Sequence, residues 1–176
     1  MLPKTLNLGS GKDWREDCIN SDIQARVNPD WCCDISKVQW GEVIETRFGQ
    51  IKIKPEMFEK IVANDVLEHI PDLIRAMTNC RDLLKTTGKL IASVPYDLSL
   101  GAWQDPTHVR AFNENSWLYY TDWCWYLGWE SGFKLEELQF KLSELGSEMS
   151  EKGIPDKEIL RTPRAVDSMK VTLCKL

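Results

Sequence analysis

Residues 59–95 constrain the fold of this chain more than any other stretch. Lys60-Ile61-Val62-Ala63-Asn64 is a short apolar run with β-branched residues, the pattern of a strand buried on both faces. Pro71 and Asp72 then open a helical stretch in which Leu73, Ile74, Met77, Cys80, Leu83 and Leu84 recur at helical spacing, and Gly88 closes it. Lys89-Leu90-Ile91-Ala92-Ser93-Val94-Pro95 is a second buried strand, stopped by its proline. Strand, helix, strand at this spacing is a crossover unit, which requires a parallel sheet.

The N-terminal stretch adds a second constraint. Thr5-Leu6-Asn7-Leu8 reads as a buried strand running into the turn Gly9-Ser10-Gly11. Cys18-Ile19-Asn20-Ser21-Asp22 is another strand, and it ends on a carboxylate. Glycines let a backbone approach a ligand closely, because they lack a Cβ and accept positive φ. An acid at the end of the following strand is placed to hold a ribose with two free hydroxyls. Only six residues separate Gly11 from Cys18, too few for a crossover helix, so a stub of helix or a tight loop must join them.

Trp31-Cys32-Cys33-Asp34-Ile35 reads as a third short strand. Residues 37–58 offer at most one helical turn over Val43 to Phe48. Tyr96 to Phe112 reads as a long functional loop, and Glu114 to Tyr120 as a helix capped by Asn113. Phe133–Phe140 and Met169–Leu176 are two late strands, separated by a polar, partly helical insertion over 143–167.

Composition narrows the partners. The 176 residues suit one domain, 1–176. A net charge of −5 without any run of Lys or Arg argues against a nucleic-acid partner. With no leader pattern and no apolar run near membrane-spanning length, the expectation is a soluble, cytoplasmic protein without a membrane partner. Six cysteines show no C-x-x-C spacing and only two histidines could join them, so no metal is expected.

The combination of Leu6-Asn7-Leu8-Gly9-Ser10-Gly11, Asp22, Asp34-Ile35, Asn64-Asp65-Val66-Leu67-Glu68-His69-Ile70 and Gly88-Lys89-Leu90 resembles the class I S-adenosylmethionine-dependent methyltransferases. The resemblance spans roughly residues 4 to 117. It implies a doubly wound α/β fold: a mostly parallel seven-stranded sheet, Rossmann-like, with an antiparallel C-terminal strand pair. It also implies S-adenosyl-L-methionine as cofactor. By the resemblance, Gly9, Ser10 and Gly11 pass under the methionine part, Asp22 with Ile23 holds the ribose, and Asp34 with Ile35 flanks the adenine. Asn64, Asp65, Val66 and His69 complete the cofactor surface, although His69 reads equally as a structural residue at the helix entrance. The chain departs from the family in its near-missing first helix and in lacking the third glycine, with Asp13 and Trp14 in its place.

Asp105-Pro106-Thr107-His108-Val109-Arg110 resembles a segment found in a subset of these enzymes. It suggests His108 as general base, Asp105 as the group that orients its imidazole, and Arg110, Trp103 and Tyr96 as acceptor contacts. The expected reaction is methyl transfer to oxygen or nitrogen of a small-molecule or glycan acceptor. Seven of the thirteen residues Trp117–Trp129 are aromatic. They read as a cap over the core or a homo-oligomer contact, or alternatively as an acceptor wall with at least two rings bordering the cofactor pocket. Two other functions stay open at this point: a non-catalytic nucleoside-binding module of a larger assembly, and an NAD-dependent oxidoreductase. Trp14 counts against the second, whose fingerprint needs glycine there.

Overall fold

The computed structural model describes residues 2–176. Nine strands form in chain order: β1 (Thr5–Leu8), β2 (Ile19–Asp22), β3 (Trp31–Cys32), β4 (Val43–Thr46), β5 (Gly49–Lys52), β6 (Phe58–Asn64), β7 (Leu84–Pro95), β8 (Phe133–Leu142) and β9 (Val166–Lys175). The helices are α1 (Leu73–Leu83), α2 (Gly101–Gln104), α3 (Glu144–Glu151) and α4 (Asp156–Ile159), with short 3₁₀ turns between them.

Seven strands make one sheet in the order β3-β2-β1-β6-β7-β9-β8. Pairing is parallel from β3 through β7, and β9 runs antiparallel to both β7 and β8. This is the expected Rossmann-like methyltransferase sheet. The chain winds outward from β1 to β3 on one side, then returns to β6 on the other. The carboxyl ends of β1 and β6 therefore lie at the point where strand order reverses, and such sheets open a ligand crevice there.

The apolar periodicity explains the layers. Leu6, Ile19, Ile61 and Leu90 are fully buried in neighbouring parallel strands. Helix α1 packs Leu73, Ala76, Met77, Cys80 and Leu83 inward, while Ile74, predicted on the same face, is exposed. Asp72 starts this helix, its carboxylate accepting from Arg75 N at 3.0 Å. The helix stops at Leu83 rather than running to Gly88. Thr87 takes the left-handed turn at φ +65°, and Gly88 is needed because a Cβ would stand 2.8 Å from the Lys85 carbonyl oxygen.

One other expectation changes, and one alternative is settled. Residues 43–52 form an antiparallel hairpin, not a helical turn: Val43 and Ile44 suit a strand, Gly49 reverses the chain at φ +96°, and Ile51 is buried. No helix joins β1 to β2. The connecting loop is instead held by side chains, since its backbone groups need partners. Asn20 Oδ1 accepts from Asn7 Nδ2 and from Arg15 N, both at 3.0 Å, and Asn20 Nδ2 donates to Arg15 O at 2.7 Å. Arg47 Nη2, from the hairpin, lies 2.8, 2.9 and 2.6 Å from the carbonyl oxygens of Arg15, Glu16 and Cys18 and shares its two N–H groups among them, with the guanidinium 3.9 Å from the Trp14 ring centre.

The insertion 143–167 carries α3, capped by Ser143, and α4, which buries Ile159. It ties down the loop after β7: the Tyr96 hydroxyl lies 3.2 Å from Leu160 O, and Arg164 N donates to Leu98 O at 2.9 Å.

Candidate active site

A cleft of about 410 Å³ opens at the carboxyl ends of β1, β2 and β6. Its wall brings together eight of the predicted cofactor residues: Gly9, Asp22, Ile23, Asp34, Ile35, Asp65, Val66 and His69. Leu8, Gln24, Cys33, Ile70, Pro71 and Thr107 complete it. Most of these additions flank the predicted residues in sequence. Thr107 is the exception, since it comes from the loop beyond β7 and no local signal ties it to the others.

Gly9 owes its identity to packing as well as to backbone angle. Its φ is +63°, and a Cβ there would overlap Val66 Cγ2 and lie 3.0 Å from Cγ1. Gly11 has φ +44°, and its N–H donates to Asp22 Oδ2 at 2.9 Å. Asp22 Oδ1 accepts from Gln24 N at 2.8 Å. The strand-end acid therefore clamps the glycine turn, and each oxygen still has acceptor capacity for a ligand hydroxyl. Asp34 caps the 3₁₀ turn after β3, accepting from Ser36 N and Oγ at 3.0 and 2.7 Å. Burial pushes its carboxyl up, but these bonds and Lys37 outweigh that and hold it below its ordinary value. Ser10 and Gly11 support the turn from outside the cleft lining. Asn64 is exposed and donates to Asp13 Oδ2 at 3.4 Å.

Beyond the cofactor surface the two histidines meet. Their rings cross edge to face with centres 4.6 Å apart. His69 Nδ1 lies 2.9 Å from Thr107 Oγ1, which lies 2.7 Å from Asp105 Oδ1. A carboxylate can only accept, so Thr107 gives its proton to Asp105 and receives one from His69 Nδ1–H. That leaves His69 Nε2 with a free lone pair. His108 Nδ1 donates to the Ala102 carbonyl at 2.9 Å, and its Nε2 is 3.9 Å from Asp105 Oδ2, beyond hydrogen-bond range. Asp105 thus orients His69 through Thr107, and the Ala102 carbonyl orients His108. This differs from the expected Asp105–His108 pairing because the turn 105–108 points the acid back at its own Thr107. The bonds from Thr107 hold the Asp105 carboxyl below the usual carboxylate range. Between the rings and the core sits Glu68, 1 % exposed, with no partner for either carboxylate oxygen. Burial pushes its carboxyl up to about 7.

Two of the predicted acceptor contacts, Tyr96 and Arg110, bond within the fold. Tyr96 is 3 % exposed and its hydroxyl donates to Glu114 Oε2 at 2.7 Å; burial, then Glu114, raise its pKa beyond the ordinary phenol range. Arg110 Nη2 donates to the carbonyls of Ile70 and Pro71 at 2.8 and 2.7 Å, which fixes the entrance to α1. Trp103 stands 65 % exposed on α2, outside the cleft lining. None of the seven rings in 117–129 lines the cleft. Trp117, Tyr120 and Trp129 are buried in the core; Tyr119, Trp123, Trp125 and Tyr126 face outward.

The cleft fits S-adenosylmethionine. It offers a diol acceptor in Asp22 and apolar faces from Leu8, Ile23, Ile35 and Val66. Its size is that of a small-molecule site. The sequence profile of a family described as a methyltransferase domain matches residues 12–138. The fold is shared with an S-adenosylmethionine-dependent methyltransferase of Archaeoglobus fulgidus (TM-score 0.63, 15 % identity, covering 99 % of this chain and 86 % of the other). A protein of Bacillus halodurans described as a methyltransferase aligns at a TM-score of 0.60 with 12 % identity, over 98 % of this chain and 92 % of the other. The 16S rRNA (adenine(1408)-N(1))-methyltransferase of Catenulisporales acidiphilia aligns at 0.56 with 8 % identity, over 98 % and 85 %. No curated protein matches the chain in sequence.

The chain belongs to the methyltransferase-domain family. That membership, and a sheet shared with S-adenosylmethionine-dependent methyltransferases, decide against the oxidoreductase reading. Among the described residues, no helix is long and apolar enough to cross a membrane.

Proposed function

We propose that this enzyme, acting as one domain over residues 1–176, methylates an oxygen or nitrogen of a small-molecule or sugar-type acceptor that enters beside His69 and Thr107. The observation that carries the reading is the pair of oriented imidazoles, one in the cleft wall and one behind it, next to the cofactor surface. Bound S-adenosylmethionine supplies an already activated methyl group. What remains for the chain is to hold the ribose, exclude water, align the acceptor and draw off its proton. Asp22 serves the ribose. Leu8, Ile23, Ile35 and Val66 keep the cofactor side dry. The proton is taken at the histidine pair, His69 directly at the cleft and His108 behind it, with Asp105 and Thr107 fixing the tautomer.

Net charge of −5 supports a neutral or cationic small acceptor over a polyanion, although the fold itself is shared with an rRNA methyltransferase. Cytoplasmic residence accords with six free thiols. Transfer of labelled methyl from S-adenosylmethionine should be compared across sugars, hydroxylated and amine-bearing small molecules, and RNA. Label entering a small acceptor supports the assignment; label entering only RNA overturns it.

A further inference from the structure

Glu68 and His69 lie on the 3₁₀ turn that follows β6, and His108 lies in the loop that follows β7. Each offers one ligand atom, and the three atoms lie within 4.8 Å of one another. Val109 N donates to Glu68 O at 2.9 Å, so backbone bonding brings the two loops together independently of any ligand.

Three features separate this cluster from an ordinary polar contact. Both imidazoles have their Nδ1–H committed, to the Ala102 carbonyl and to Thr107 backed by Asp105. A metal-ligating histidine is held in this way, its second nitrogen donating to a carbonyl or a carboxylate-linked group while the first keeps its lone pair. Glu68 is 1 % exposed, and neither carboxylate oxygen has a hydrogen-bond partner. A buried acid without a donor is costly, and a cation answers the deficit. The three ligands also leave coordination positions unfilled, and His69 places the cluster at the cleft wall.

We propose that Glu68, His69 and His108 form a site for a borderline first-row divalent cation, with zinc the reference case, open on the cleft side to an oxygen of the acceptor. Two imidazoles and one carboxylate suit such ions, whereas magnesium and calcium prefer all-oxygen sets. Three protein ligands with an open position is the arrangement of a metal that meets substrate. The inference deepens the methyl-transfer reading and rests on it only for the acceptor: with both imidazoles on the ion, the polarised acceptor would lose its proton to solvent on binding, before methyl transfer, and the histidine pair would serve as base only in the metal-free protein. No motif spacing signals this metal site, because His69 and His108 belong to separate loops.

Chelator-treated protein titrated calorimetrically with zinc chloride should bind one equivalent, and magnesium chloride should bind far more weakly. Glu68→Gln and His108→Ala should each weaken zinc binding on the order of 10–100-fold or more, since even supporting residues of such sites cost that much. Because six cysteines could capture zinc, cobalt substitution must show no thiolate charge-transfer band. Circular dichroism and melting check that the variants fold, and His108→Gln replaces His108→Ala if it does not. Zinc binding absent in the wild type, or undiminished in Glu68→Gln/His69→Ala/His108→Ala, overturns the site. S-adenosylmethionine affinity of the chelated protein is measured in parallel. If the cofactor binds and zinc does not, only the metal site fails; if zinc binds and no acceptor is methylated, only the methyl-transfer reading fails.

Discussion

Replacing Gly9 with alanine tests why the glycine turn is there. The new methyl group meets two separable penalties. The backbone sits at φ +63°, where a side chain costs about 1–2 kcal/mol. The Cβ also overlaps Val66 Cγ2 and presses on Cγ1, an overpacking worth about 1–3 kcal/mol. Gly9→Ala should therefore destabilise the fold by roughly 2–5 kcal/mol, a large part of the stability of a typical domain. Val66→Ala removes the obstacle and by itself costs roughly 1–2 kcal/mol for the lost apolar packing. In the double variant most of the steric part should go, Val66 Cβ staying 3.3 Å away, while the φ part stays. The cycle should then show a favourable coupling of about 1–2 kcal/mol, within the range for residues in contact. Urea unfolding of the four proteins at one pH, with constant slope, supplies the four free energies. Additivity to within about 0.5 kcal/mol would refute the reasoning, because it would mean that Val66 is not what excludes a side chain at position 9.

Asp22→Ala should weaken S-adenosylmethionine binding by about 1.5–3 kcal/mol and also loosen the turn by freeing the Gly11 and Gln24 amides; unchanged calorimetric affinity would remove Asp22 from the ribose site. Arg47→Ala removes the one nitrogen, Nη2, that meets three carbonyls, so amide exchange over residues 12–18 should accelerate, and identical protection would show that Arg47 does not hold the loop. Burial pushes the Cys80 thiol up to about 12, above its unfolded value of about 8.5. Unfolded chains then lose that proton first, so this contribution is intact below pH about 8.5 and is lost as pH rises toward 12. Cys80→Ala should make the fall in stability per alkaline pH unit shallower by about 1.4 kcal/mol, and an unchanged slope in denaturant titrations at two alkaline pH values would contradict it.

Local pattern was enough for the scaffold. The apolar runs 60–64 and 89–95 with the helix between them dictated parallel strands, because a chain that must bury both faces of a strand has few other solutions. The Gly-x-Gly turn and Asp22 were likewise legible, since a positive φ and a strand-end acid are properties of single positions. The hairpin 43–52 was not, because its strands are short and mostly exposed and carry little periodicity.

Which side chains meet across loops was decided only by the tertiary structure. Tyr96, Trp103 and Arg110 carry suitable chemistry, but packing gave the tyrosine to Glu114, the arginine to the α1 entrance and the tryptophan to the surface. The sequence paired Asp105 with His108 by proximity. In the folded chain Thr107 intercepts the acid, Ala102 takes His108, and Glu68 and His69 arrive from the loop beyond a different strand. A sequence encodes which residues are buried through their solvation, and that much is readable one residue at a time. The partner of a buried polar group depends on where two distant backbones cross, and only the folded sheet fixes that crossing.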